Sequence, residues 1–161
     1  MKTSLKVALS TVLTAMVVLA MAVPAFASGG LFPRTVGDVG FSLNGLRASA
    51  EFAVRATGVP APGEDHAPAT GKFEFKTKGL RYTARIGHVH AHSATEVHFG
   101  GLIVKSSDPT MVGKFVHIAA VDGGTPGRNG DMISVLVTDT ETHSEPMMVP
   151  VSRGNLVVRA N

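Results

Sequence analysis

The chain has 161 residues with 18 Gly, 9 Pro, no Cys and no Trp, and carries a formal charge of +3. The lack of Cys excludes a disulfide scaffold and any thiolate metal centre. The near-balance of charge argues against a nucleic-acid partner, which needs a dense basic face.

The first segment, residues 1–27, reads as an export signal. Lys2 and Lys6 form a positive head, Val7 to Val23 is apolar apart from Ser and Thr, and Pro24 breaks the helix. Ala25-Phe26-Ala27 then gives a small-x-small cleavage site before Ser28. The apolar stretch is marginal for a retained span across ~30 Å of hydrocarbon. The expectation is a secreted protein, Ser28 to Asn161, with no membrane attachment after cleavage and a formal charge lower by the two lysines of the signal. What remains suits one domain that needs no cross-links.

Residues 28–47 mix Gly and Pro with isolated apolar residues and read as a flexible leader with at most one short strand near its end, so the folded domain is expected over 48–161. From Ala48 the period of two is clear. Ala50, Phe52, Val54 and Ala56 point one way, Ser49, Glu51 and Arg55 the other. Val59 to Thr70 carries three prolines and reads as a loop. Gly71–Lys78, Leu80–His92, Glu96–Val104 and Phe115–Val121 read as further strands, with Asp108-Pro109 marking a turn before the last of them. Asp122 to Asp131 is a polar, Gly-rich loop. Met132–Thr138 is apolar on both sides and predicts a central strand. Met147–Val151 and Leu156–Arg159 are two short closing strands joined by a Ser-Arg-Gly-Asn turn. About eight antiparallel strands without an amphipathic helix predict an all-β fold, a β-sandwich or a partly open β-barrel, following the signal-peptide helix.

Several turn and strand-start motifs resemble a family of small secreted bacterial β-domains, the post-COAP type. They are Gly71-x-Phe73-x-Phe75, a strand ending near Val89, Phe99-Gly100-Gly101, the turn Val121 to Gly127, Asp131 with its apolar strand, and the closing Gly154-Asn155-Leu156-Val157-Val158. The likeness covers most of the folded part. It implies a secreted β module without an assigned activity, and brings no catalytic residues.

The residues with chemistry to offer are histidines. His88, His90 and His92 alternate along one strand, and His98 follows on the next. Neutral imidazole is the commonest ligand for Zn and Cu, and i, i+2 spacing on a strand sends rings to one side. His90-x-His92 followed by Glu96 also resembles the first metal motif of cupins, although the flanking glycines are misplaced and no second motif is present. The candidate metal ligands are therefore His88, His90, His92, His98 and Glu96. Parity decides whether they meet. A three-residue turn Ser93-Ala94-Thr95 would set His90 against His98 and His92 against Glu96, whereas one residue more or less would turn His98 away. Leu80, Tyr82 and Ile86 share the parity of the three histidines and would draw them inward, unless a bulge near Gly87 reverses the faces. The plainer expectation is a solvated His-rich strand.

Asp122, Asn129 and Asp131 could offer oxygens to Ca²⁺, but Arg128 stands among them and no calcium-loop spacing is present, so turn chemistry is the better reading. No Gly-x-Ser-x-Gly elbow, Cys nucleophile or phosphate loop occurs. The expectation is a non-enzymatic secreted binding or structural module, with no cofactor and an extracellular or cell-surface partner. The alternative is a small extracellular His-rich protein that binds Zn or Cu.

Overall fold

A computed structural model describes residues 33–124, 130–141 and 147–159; residues 1–27, read above as an export signal, lie outside them. The fold is an eight-stranded, closed, up-and-down β-barrel. The strands are β1 (Arg34–Leu43), β2 (Leu46–Ala56), β3 (Ala67–Thr77), β4 (Leu80–Ala91), β5 (Glu96–Ser106), β6 (Phe115–Val121), β7 (Met132–Thr138) and β8 (Val149–Arg159). Each pairs antiparallel with its neighbour in sequence, and β1 pairs with β8 from Arg34↔Arg159 to Phe41↔Val151. The all-β, eight-stranded antiparallel fold expected from the sequence is present, as the barrel rather than the sandwich, and the barrel is fully closed, which removes the exposed edges of an open sheet.

Closure depends on a strand that the sequence reading placed in a flexible leader. Arg34–Leu43 alternates like the others, with Thr35, Val39 and Phe41 buried, and it occupies the gap between β2 and β8. The folded domain therefore includes Arg34–Leu43, ahead of residue 48. Asn44 and Gly45 join β1 to β2 with φ of 50° and 77°, inside the closing pair Leu43↔Leu46. Positive φ at both turn residues is what a two-residue hairpin of this twist requires, and Asn-Gly is its preferred sequence.

The two short closing strands are likewise one. Between Gly40↔Arg153 and Phe41↔Val151 the ladder gains a residue, Ser152, so the expected turn is a bulge inside a continuous β8.

Apolar side chains fill the lumen. Phe52 packs on Phe99 with ring centroids 5.2 Å apart, Phe75 stacks on Tyr82 at 5.0 Å, and Phe73 joins the two pairs. Burial pushes the Tyr82 hydroxyl above the ordinary tyrosine range. Charged residues such as Glu51, Arg55, Lys72 and Arg85 stand outside. That polarity is the reverse of a membrane-spanning barrel, whose apolar band faces lipid. No helix among the described residues is long and apolar enough to cross a membrane.

Among the described residues the shortest ladder is that of β7 with β8, which share Met132↔Pro150 and Ile133↔Val149. Beyond these pairs, two carboxylates accept from backbone N–H groups of β8 and of the loop before β7. Asp131, 1% exposed, accepts from Gly123 N at 2.9 Å and from Leu156 N at 3.0 Å. Asp122 accepts from Gly124 N at 2.9 Å and from Val158 N at 3.1 Å. Both Asp131 oxygens thus face N–H donors, an arrangement that satisfies backbone and repels a cation. Asn129 and Arg128, the other members of that loop, lie outside the described residues.

Candidate functional site: a histidine band on the outer wall

The band begins with a bulge at Gly87. Up to Ile86 the buried residues of β4 are Tyr82, Ala84 and Ile86; after it the next buried residue is Val89. The ladder runs Ile86↔Gly101 and then His88↔Gly100, leaving Gly87 unpaired. One extra residue reverses the faces. His88 and His90 consequently turn outward, and the costly buried cluster that simple parity implies does not form.

The β4–β5 hairpin sets the register. Ala91↔Val97 is its last pair, and the His92 and Ser93 N–H groups both donate to the Glu96 carbonyl, at 3.0 and 3.2 Å. This places His90 opposite His98, the parity expected of the Ser93-Ala94-Thr95 turn. The three imidazoles of His90, His92 and His98 are in mutual contact, with centroids 5.9 Å apart for His90–His92, 6.4 Å for His90–His98 and 5.4 Å for His92–His98. Glu96 Oε1 lies 2.8 Å from His98 Nε2.

Two more histidines extend the band. His66 precedes Ala67, whose partner is Val89, so it comes beside His90. Its ring centroid is 5.4 Å from that of His90 and 5.3 Å from that of His88. His117, opposite Gly100 on β6, is 6.4 Å from His88. Six of the seven histidines, from His117 through His88, His66 and His90 to His92 and His98, therefore form one chain of ring contacts across β3–β6.

Their polar partners orient them. His90 Nδ1 is 2.6 Å from the Asp65 carbonyl oxygen. A carbonyl only accepts, so Nδ1 carries the proton and Nε2 keeps the lone pair. His88 Nδ1 is 2.9 Å from Glu141, and His66 Nδ1 meets the Asp65 carboxylate. The Thr138 hydroxyl donates to Thr140 O at 2.6 Å, so it accepts from His117 Nε2 at 3.2 Å. Holding one ring nitrogen with a carbonyl or carboxylate is how proteins fix imidazoles that ligate metals through the other. Among the described residues, however, no three His, Asp or Glu side chains already surround a common point. An ion with nitrogen ligands at ~2.0–2.1 Å would require the rings to turn.

Beside the band lies an open groove of 810 Å³, lined by Glu64, Asp65, His66, Pro68, His88 and Glu141. Gly100 makes room for its inner wall, because a Cβ there would sit 2.7 Å from His88 Nε2 and 3.0 Å from Val116 O. Gly100→Ala is expected to push the His88 ring off Glu141 at a cost of ~1–3 kcal/mol. The check is the His88 imidazole ¹H–¹⁵N spectrum: it should change, while the Phe52–Phe99 core signals stay.

All five predicted ligands, His88, His90, His92, His98 and Glu96, lie on this wall, and His66, His117 and Glu141 join them. His66 was hidden because residues 59–70 read as loop. In the structure β3 starts at Ala67, and Pro68 is tolerated where the β3–β4 register shifts. His117 and Glu141 carry no motif and arrive only through pairing and chain path. Comparison with protein-family models, with curated proteins and with solved structures finds no match to this chain.

Proposed function

We propose that the chain is an exported, non-enzymatic β-barrel module that binds through its outer wall, with the histidine band as its binding surface. The observation carrying this reading is the contrast between the two sides of the sheet. The lumen is lined by the buried rings of Phe41, Phe52, Phe73, Phe75, Tyr82 and Phe99, while six imidazoles gather on the outer face. The export signal and the motifs similar to post-COAP domains support the extracellular part of the proposal. The absence of a sequence motif for nucleophilic or phosphoryl chemistry supports the non-enzymatic part.

The ligand class favoured by this chemistry is a transition-metal ion, Zn²⁺ or Cu²⁺, taken by His90, His92 and His98 with Glu96 at their side. Every pair of these three rings is in contact, and the His90 tautomer with Nδ1 bound to the Asp65 carbonyl presents its Nε2 lone pair. The test is metal content by mass spectrometry on the untagged protein, repeated for the His90→Ala/His98→Ala variant. The expected result is about one ion per chain at micromolar free metal, lost in the variant. A protein that takes up neither ion under those conditions overturns the metal assignment.

A further inference from the structure

A second surface, lower on the barrel and separate from the histidines, is built from cations. On β3 and β4 Lys72 stands directly opposite Arg85, and Lys76 directly opposite Arg81. Opposed like charges destabilise a sheet, and here the arrangement occurs twice on one strand pair. Lys105 joins them from β5 through a bulge: Thr83 pairs with Lys105 and Ala84 with Ile103, so Val104 is the extra residue and Lys105 comes to the outer face. The result is three rows about 7 Å apart along the strands, the spacing of alternate residues. The outer rows are the pairs Lys72/Arg85 and Arg81/Lys76, and the middle row holds Glu74, Thr83 and Lys105.

Within β3–β5 the carboxylate in these rows is Glu74, which ties down both flanking cations; Glu51 of β2 stands opposite it and bounds the surface on that side. It contacts Lys72 Nζ and lies 3.6 Å from Arg81. The hydrogen bond from Lys72, followed by the charges of Lys72 and Arg81, holds its carboxyl below the usual range against the opposing effect of desolvation. Beside it is a groove of 510 Å³, lined by Lys72, Glu74, Arg81, Thr83, Lys105 and Ser106. Cations interleaved with hydroxyls are the donor set that receives phosphate, sulfate or carboxylate oxygens.

We propose that this wall of β3–β5 binds a linear anionic polymer, whose charged groups replace Glu74 between Lys72, Arg81 and Lys105. A chain is favoured over a membrane because the cations surround a recess on the wall of a convex barrel, into which a flat headgroup plane does not reach. Aromatic rings for base stacking are absent from the residues lining this groove, apart from the buried Tyr82, so recognition here is by charge rather than by nucleobase.

The experiment titrates the untagged protein with long-chain polyphosphate and with dextran sulfate, and in parallel with inorganic phosphate and with phosphatidylglycerol vesicles. Both polymers are expected to bind, more weakly as salt rises, and to outcompete inorganic phosphate and vesicles. Lys72→Glu/Lys105→Glu should weaken polymer binding on the order of tenfold, and Glu74→Gln should tighten it. Because the two variants move affinity in opposite directions, loss of folding cannot imitate the pattern. His90→Ala/His98→Ala should leave polymer binding unchanged, which separates this surface from the metal proposal. Polymer affinity unaltered in the Lys72/Lys105 variant, or vesicles binding more tightly than either polymer, would overturn it.

Discussion

Gly154→Ala is expected to destabilise the barrel by about 3–5 kcal/mol, enough to unfold a large share of a marginally stable domain. Gly154 has φ of +86°, and a Cβ built on it would lie 1.9 Å from the Asp38 carbonyl oxygen and 3.0 Å from Val39 Cα. Those atoms are backbone of β1, paired with β8 at Val39↔Gly154, so nothing flexible can yield without opening the closing ladder. Gly79 separates the two contributions. It has the same φ of +86° but nothing within 4 Å of its added Cβ. Gly79→Ala should therefore show only the left-handed backbone cost of ~1–2 kcal/mol. Urea unfolding of both variants measures the difference, and equal losses would show that close approach to β1 contributes nothing.

Asp131→Asn is expected to cost nearly as much as Asp131→Ala, on the order of 2–4 kcal/mol each. The carboxylate accepts from Gly123 N through one oxygen and from Leu156 N through the other. An amide has one acceptor oxygen, and its NH₂ would face the second N–H donor. Shape is kept and one bond is replaced by an opposition of donors. Amide exchange at Leu156 gives the local readout. It should accelerate in both variants before the rest of β8 responds, whereas an Asn variant as stable as the parent would mean that Asp131 serves another purpose.

Strand identity was legible wherever alternation was clean. Phe115–Val121 and Met132–Thr138 have the same limits in sequence and structure, because each is a short apolar run bounded by turn residues. The Gly87 bulge was legible for a different reason: inward parity for three histidines conflicts with desolvation, and a glycine stood at the place where the conflict could be released. β1 was legible only as a short strand at the end of a leader, although Asn44-Gly45 announces a hairpin, since over its ten residues the period of two is blurred by Gly37 and Gly40. Their small size is itself a packing requirement. A Cβ at Gly37 would fall 2.4 Å from Phe52 Cζ, so the strand gives up side chains to admit a core ring. The band was half legible. His88, His90, His92 and His98 share a hairpin whose register follows from local turn length. His66 and His117 depend on where β3 begins and on the pairing of β5 with β6, which no local pattern reveals.

The pairing of β1 with β8 also carries a kinetic consequence. Every other ladder joins strands adjacent in the chain, so seven of the eight pairings can form as local hairpins. Bringing the ends together is the single step that spans the whole domain, and its entropic cost grows only with the logarithm of the intervening length. β8 has two paired positions on β7 as a template but a ladder from Arg34 to Phe41 waiting on β1. Assembly is therefore expected to proceed as a zipper from β1 to β7, with β8 arriving last as the keystone and setting the overall rate.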